Sequence, residues 1–223
     1  LVKKNSKADQ FLYNTSYIDK ILFLERDEKV GDRHNGFLGS LNLIKDLKKH
    51  KFEKIIIFNS SLRFNLIARF SGIPEIYQYP LFKKKRQHIT DTPRIFIKNN
   101  FQLDVNDDPE IQIDDESISK SIKKFAIDKT EMNILLGIGG SGNTKRIPAN
   151  TFLELIKRIL DERKCKFFLA TGKDSEEQLI LNKLLDSRYK QYCIPLDNLS
   201  IKEILPVIKN CDLSICNDSS FSH

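Results

Sequence analysis

Short apolar runs rich in β-branched residues alternate with amphipathic helical patterns along almost the whole chain, and this alternation narrows the possible folds more than any other feature. The strand candidates are residues 20–24, 54–58, 75–77, 133–138, 166–171, 192–194 and 212–216. Between them lie helix candidates at 39–49, 62–71, 117–125, 150–163, 176–185 and 201–209. In the fourth of these, Phe152, Leu155, Ile156, Ile159 and Leu160 fall on one face at helical spacing. Strands that are apolar on both sides, alternating with one-faced helices, predict parallel sheets covered by helices on both faces. The class is α/β.

The 223 residues suit one large domain or two small ones. Helical and strand signals weaken across 99–130, where residues 104–116 carry seven acidic side chains and no basic one. We therefore expect an N-terminal unit over 1–115, with a linker near 104–116, and a C-terminal unit over 116–223. Each looks incomplete: Leu1-Val2 resembles the end of a strand, and the chain stops at Ser219-Ser220-Phe221-Ser222-His223 where a helix should begin. A natural protein longer at both ends is the expectation.

The composition is that of a soluble globular protein, with 40% apolar and 30% charged residues. No apolar run can span a bilayer, and Leu1-Val2-Lys3-Lys4 does not begin a signal peptide. Cys165, Cys193, Cys211 and Cys216 show no metal-type spacing and read as small buried hydrophobes in a reducing cytosol. The net charge of +7 is uneven, residues 1–100 holding twenty Lys and Arg against ten Asp and Glu. Such a half suits an anionic partner or a solvated lysine-rich surface. Its sharpest cluster, Lys83-Lys84-Lys85-Arg86-Gln87-His88, has no aromatic after Phe82, so base stacking and nucleic-acid binding are not indicated.

Chemistry concentrates in loops that follow strands of the second half, the edge of an open parallel sheet where ligands bind. The first, Gly139-Gly140-Ser141-Gly142-Asn143-Thr144-Lys145-Arg146, leads into a helix opened by Pro148. Glycines admit close backbone approach, a helix start favours an anion and a lysine neutralises it, so these are the parts of a phosphate site. They are equally the parts of an ordinary β–α turn. The second loop, Thr171-Gly172-Lys173-Asp174-Ser175-Glu176-Glu177, offers Asp174 or Ser175 as a helix cap and acids that suit the helix dipole or a ribose. The third is Asn217-Asp218-Ser219-Ser220-Phe221-Ser222-His223, where the Ser219 and Ser220 amides can hold an anion beside Asp218 and His223. Ser200 and Glu203 form a capping box, with Leu199 as a staple or a base-pocket wall.

In this order the loops resemble glycosyltransferase family 9, the ADP-heptose:lipopolysaccharide heptosyltransferases. The matching segments are Gly140–Pro148, Gly172–Glu177, Leu199–Glu203 and Asn217–His223. In the first half, Phe52–Arg63, with its Ser-Leu-Arg ending, and Ser71-Gly72-Ile73 match as well, so the likeness spans essentially the whole chain. It implies a GT-B architecture of two Rossmann-like lobes, donor on the C-terminal one and acceptor on the N-terminal one. By the same resemblance, Ser141 and Lys145 contact the donor diphosphate, Glu176 the ribose, Leu199 the adenine and Asp218 the sugar. The Ser219 and Ser220 amides hold phosphate with His223 nearby. The implied reaction is inverting, metal-independent sugar transfer to an anionic glycolipid, without a cofactor, in the cytoplasm and peripherally at the inner membrane face.

Two departures stand out: Asp218-Ser219-Ser220 replaces the family's Asp-Thr-Gly, and Arg146-Ile147-Pro148 lacks its aromatic. The family's first strand and its Asp-bearing loop would precede Leu1, so the catalytic base is unassigned and this stretch alone is not expected to turn over. The alternative is a nucleotide-binding module without catalysis. A dinucleotide oxidoreductase, which the α/β pattern alone would allow, is the reading disfavoured.

Overall fold

The computed structural model describes residues 1–26, 32–81, 90–106, 108, 110–140 and 142–219. The basic cluster 83–88, Ser141, Ser220 and His223 thus lie outside the described residues. Two compact units are formed, one from Leu1–Asp9 with Tyr17–Ile111, the other from Gln10–Ser16 with Gln112–His223.

The first unit contains β1 (Val2–Lys3), the first half of α1 (Ala8–Phe11 overall), β2 (Phe23–Leu24), α2 (Gly36–Lys48), β3 (Lys54–Ile57), α3 (Leu62–Phe70), β4 (Glu75–Gln78) and α4 (Asp91–Phe101). Its strands form two parallel pairs, β1 with β2 and β3 with β4. An apolar cleft of about 910 Å³ is lined by Leu1, by Lys3 of β1, by all of β3, and by Leu43, Leu47 and Ile67 of the covering helices. The expected strand at 20–24 is regular only at Phe23–Leu24.

Polar side chains anchor the helices of this unit. The Nδ1 of buried His34 accepts the Glu25 amide at 3.0 Å, which puts the ring proton on Nε2, 3.3 Å from Asp46 Oδ2. Asp46 also receives Arg33 through two nitrogens and Lys49 at 3.0 Å. Arg63 of the Ser-Leu-Arg segment donates to the His34 carbonyl at 2.7 Å and to Ser40 Oγ at 3.0 Å, tying α3 to the start of α2. Helix α4 was not expected from the sequence. Its Phe96 meets Phe58 and Tyr79 edge to face, with ring centroids 6.0 and 5.2 Å away.

The second unit runs α5 (Asp115–Phe125), β5 (Met132–Gly137), α6 (Ala149–Glu162), β6 (Cys165–Ala170), α7 (Ser175–Leu185), β7 (Cys193–Pro195), α8 (Ile201–Lys209) and β8 (Leu213–Cys216). Its four strands are parallel in the order β7-β6-β5-β8. Strand alternation divides the core between the two faces. Ile134, Leu136, Phe167 and Leu169 pack with Phe152, Ile156, Leu181 and Leu184 of α6 and α7. Leu135, Phe168 and Ala170 pack on the other face with Ile204 and Val207 of α8, joined by Ile122 and Phe125 of α5. β5 and β6 are buried from both sides, as their unbroken apolar runs require. Segment Gln10–Ser16 belongs to this unit: Gln10 Oε1 accepts the Ile201 amide at the start of α8, 3.0 Å away.

Candidate functional site

The strand order fixes where the loops meet. β5 is the first strand of its sheet in sequence, with β6 on one side and β8 on the other. The connections therefore diverge between β5 and β8, and in open α/β sheets this switch point at the carboxyl edge is the ligand crevice. The glycine loop leaves β5 there, and Asn217 and Asp218 leave β8 beside it.

Lys145, in a 3-10 turn over Asn143–Lys145, places its Nζ 2.5 Å from Asp218 Oδ2. Both side chains are about half exposed. Two residues that the sequence singled out separately, 73 positions apart, thus share one point of the edge. Ser219 follows, half-buried. The next helix, α6, which follows this loop, has Pro148 as N-cap without a side-chain cap.

Asn217 is a site residue that sequence reading missed. It is buried, its amide Nδ2 donates to the Ile138 carbonyl at 2.9 Å, and its Oδ1 accepts the Ile147 amide at 3.3 Å. Its own N–H reaches the Gly137 carbonyl at 2.8 Å. One side chain thereby holds the end of β5, the approach to α6 and the base of the Asp218 loop together. The only local hint was an Asn at a strand end, too common a feature to be informative.

In the second loop Asp174, rather than Ser175, is the N-cap of α7, accepting the Glu176 amide at 3.1 Å. The Glu176 side chain is exposed and borders a shallow hollow of about 300 Å³ with Arg146, Leu179 and Lys183. Glu177 is turned inward. It accepts the amides of Gly140 at 2.8 Å and Gly172 at 2.7 Å, and the Thr171 hydroxyl at 3.1 Å. Arg146 braces the same loop, its Nε donating to the Gly140 carbonyl at 2.7 Å and its Nη2 to Asp174 at 3.0 Å.

Two of the loop's glycines have distinct surroundings. The Gly140 amide is engaged with Glu177, so it does not face a phosphate in this arrangement. Gly142, at φ +92° with open space around it, is the position where the loop needs glycine for its backbone angle.

The capping box at α8 forms as the sequence indicated: the amide and hydroxyl of Ser200 both reach Glu203 Oε2, at 2.9 and 2.8 Å. These bonds hold the Glu203 carboxyl below its ordinary range. Leu199 shares an apolar cluster with Ile204, the staple geometry, and stays partly exposed at the loop after β7. The four cysteines are free. Burial pushes the Cys193 thiol up to about 11 and the Cys211 thiol to about 12, so both stay protonated near neutrality.

Loops converging on the switch point of a doubly wound parallel sheet, with a lysine, an aspartate and a helix start among them, define an open α/β protein with a polar crevice at its carboxyl edge. Sequence comparison gives the family: the model of glycosyltransferase family 9 (heptosyltransferase) matches residues 40–223, and the chain belongs to that family. It is 22% identical over 244 residues to lipopolysaccharide heptosyltransferase 1 of Campylobacter coli, covering 98% of this chain and 69% of that protein.

Among solved structures, it resembles a family 9 glycosyltransferase from Veillonella parvula with a TM-score of 0.73 and 18% identity over 96% of the chain. It also resembles ADP-heptose lps heptosyltransferase II of E. coli, with a TM-score of 0.59 and 19% identity over 82% of the chain. The chain spans 65% and 62% of those two structures, a little under two thirds of each. The expected α/β fold of GT-B type, with Rossmann-like units built on parallel sheets, is the fold these likenesses show.

Proposed function

We propose that the protein transfers heptose or a closely related sugar from an ADP-activated donor to a lipopolysaccharide core or related surface glycan. The reading rests chiefly on one observation: Lys145 and Asp218 converge at 2.5 Å on the switch point of the C-terminal sheet. Family membership and two relatives named for lipopolysaccharide heptosyl transfer, one of them for ADP-heptose, supply the donor and acceptor classes.

Lys145 takes the donor diphosphate, together with the first-turn amides of α6 and the loop position of Ser141. In doing so it exchanges the Asp218 carboxylate for phosphate oxygens, and Asp218 turns to the sugar. Glu176, exposed at the start of α7, accepts ribose hydroxyls, and Leu199 borders the adenine. Ser219 and Ser220 offer backbone amides to phosphate, with His223 four positions after Ser219 in the chain. An acceptor hydroxyl attacks the anomeric carbon on the face opposite the diphosphate. The new carbon–oxygen bond forms as the bond to the leaving phosphate breaks, and the configuration inverts.

The transition state carries oxocarbenium character on the sugar and growing negative charge on the leaving diphosphate. A fixed ammonium and helix-start amides stabilise that charge more than they stabilise the ground state, so the departure needs no metal or cofactor on this reading. The hydroxyl proton passes to a general base, to which no residue is assigned. The acceptor is an anionic glycolipid, and the excess cations of the N-terminal unit suit peripheral contact with the cytoplasmic membrane face. Among the described residues no helix is long and apolar enough to cross a membrane.

Calorimetric titration with ADP, against UDP, GDP and NAD, tests the reading, with Lys145→Ala as the site control. Selective ADP binding that weakens in the variant is the expected result. Equal binding of all four nucleotides, or none by folded protein, would remove the donor assignment.

A further inference from the structure

Glu177 takes no part in the ligand contacts proposed above, yet it joins the two loops that make them. Its Oε1 accepts the Gly140 amide at 2.8 Å from the loop after β5. Its Oε2 accepts the Gly172 amide at 2.7 Å and the Thr171 hydroxyl at 3.1 Å from the loop after β6. The carboxylate lies close against both loops. A Cβ on Gly172 would lie 2.7 Å from Oε2, and one on Gly139 would lie 3.0 Å from the same oxygen. Two glycines that resemble phosphate-loop residues thus lie against a carboxylate, whose end would have to shift to admit a side chain at either position.

Arg146 completes the clamp from the other side. Its Nε holds the Gly140 carbonyl at 2.7 Å, and its Nη2 holds the Asp174 cap at 3.0 Å. Both backbone polar groups of Gly140, its N–H and its C=O, are thus held by charged side chains, one from α7 and one from the approach to α6. Bonds of this kind to ionised groups are roughly twice as strong as neutral ones.

We infer that Glu177 is a positioning residue for the diphosphate end of the donor site, registering the glycine loop and Lys145 against the loop that carries Glu176. This rests on the reading of the site as a nucleotide-diphosphate site. The carboxylate is suited to the task because each oxygen can face a different N–H donor. In the amide of Glu177→Gln, one end becomes an NH₂ that faces a glycine N–H, so one of the two loops loses its anchor. The glycine loop bears on the phosphates, whereas Leu199 and the base lie at the far side of the sheet edge. The defect therefore falls on phosphate recognition.

The test uses the 223-residue chain with two ligands, ADP and adenosine, and two variants, Glu177→Gln and Arg146→Lys, the second keeping its charge while losing the two-point brace. ADP affinity should fall about tenfold in each variant, the size of one lost charge-assisted bond. Adenosine affinity, read by chemical-shift titration, should stay within about twofold. Without any ligand, the Gly140 and Gly172 amide protons should exchange about tenfold faster in Glu177→Gln, by the same loss of a bond.

A merely structural Glu177 would lower both affinities together or shift the unfolding midpoint without separating the two ligands, and either result overturns the inference. Wild-type ADP binding that persists unchanged in both variants overturns it while leaving the donor reading intact. Absence of ADP binding by wild type, with both glycine amides protected, overturns the donor reading and the positioning role with it.

Discussion

At the scale of single residues, the decisive feature is the half-exposed pairing of Lys145 with Asp218. An exposed ion pair is weak in water, so a diphosphate with several anionic oxygens can displace one carboxylate. Asp218→Asn should therefore tighten ADP itself about threefold by removing the competing anion, while sugar transfer by the active enzyme falls at least tenfold on loss of the sugar contact. Titration calorimetry on ADP and a transfer assay separate the two, and a variant that loses ADP affinity would refute this exchange of partners. The cysteines give a second residue-scale prediction. With the Cys193 and Cys211 thiols raised to about 11 and 12 by burial, native protein at pH 8 should label far more slowly with a thiol reagent than denatured protein. Lys145 and Asp218 could be found by eye because cations and acids after strands of a parallel sheet are conspicuous. Glu177 and Asn217 could not, since a first-turn glutamate and a strand-end asparagine look the same whether they face solvent or another loop.

At the scale of elements, side-chain anchors set how firmly each helix is held. The Arg33 guanidinium holds the Asp46 carboxyl well below the usual carboxylate range, helped by Lys49 and His34. A depressed carboxylate stabilises the fold fully above its unfolded pKa, near 4, and the contribution is lost as pH falls below that. Asp46→Asn should therefore lower the stability of the N-terminal unit by about 1 kcal/mol at neutral pH and flatten its loss between pH 4 and 2. Denaturation at several pH values measures both. In the C-terminal unit, Ser200→Ala should cost about 1 kcal/mol through the capping box, seen as faster amide exchange in the first turns of α8. Most helices were legible because an apolar stripe faced a sheet, as with Phe152 and Ile156 of α6. Helix α4 was not: it has no buried residue, and what holds its Phe96 are the rings of Phe58 and Tyr79 from other elements. The glycine loop was legible as a turn, but the engagement of its Gly140 amide by Glu177 was not.

At the scale of the molecule, the charge excess of residues 1–100 makes a prediction independent of any one residue. The chain should cosediment with anionic vesicles at low ionic strength and lose most of that binding in ~0.5 M salt, where the Debye length shrinks to a few ångströms. Equal behaviour with neutral vesicles would reduce the cations to a solvated surface. The sequence by itself determined the class of the molecule: unbroken apolar strands alternating with helices of one apolar face call for parallel sheets sandwiched by helices, and parallel strands put all their following loops on one edge. Tertiary structure alone decided which loops became neighbours. The order β7-β6-β5-β8 puts Asp218 beside Lys145 and brings Glu177 to Gly140, 37 residues away. Strand order is settled by which helices bury which faces, a property of the whole core that no local spacing encodes.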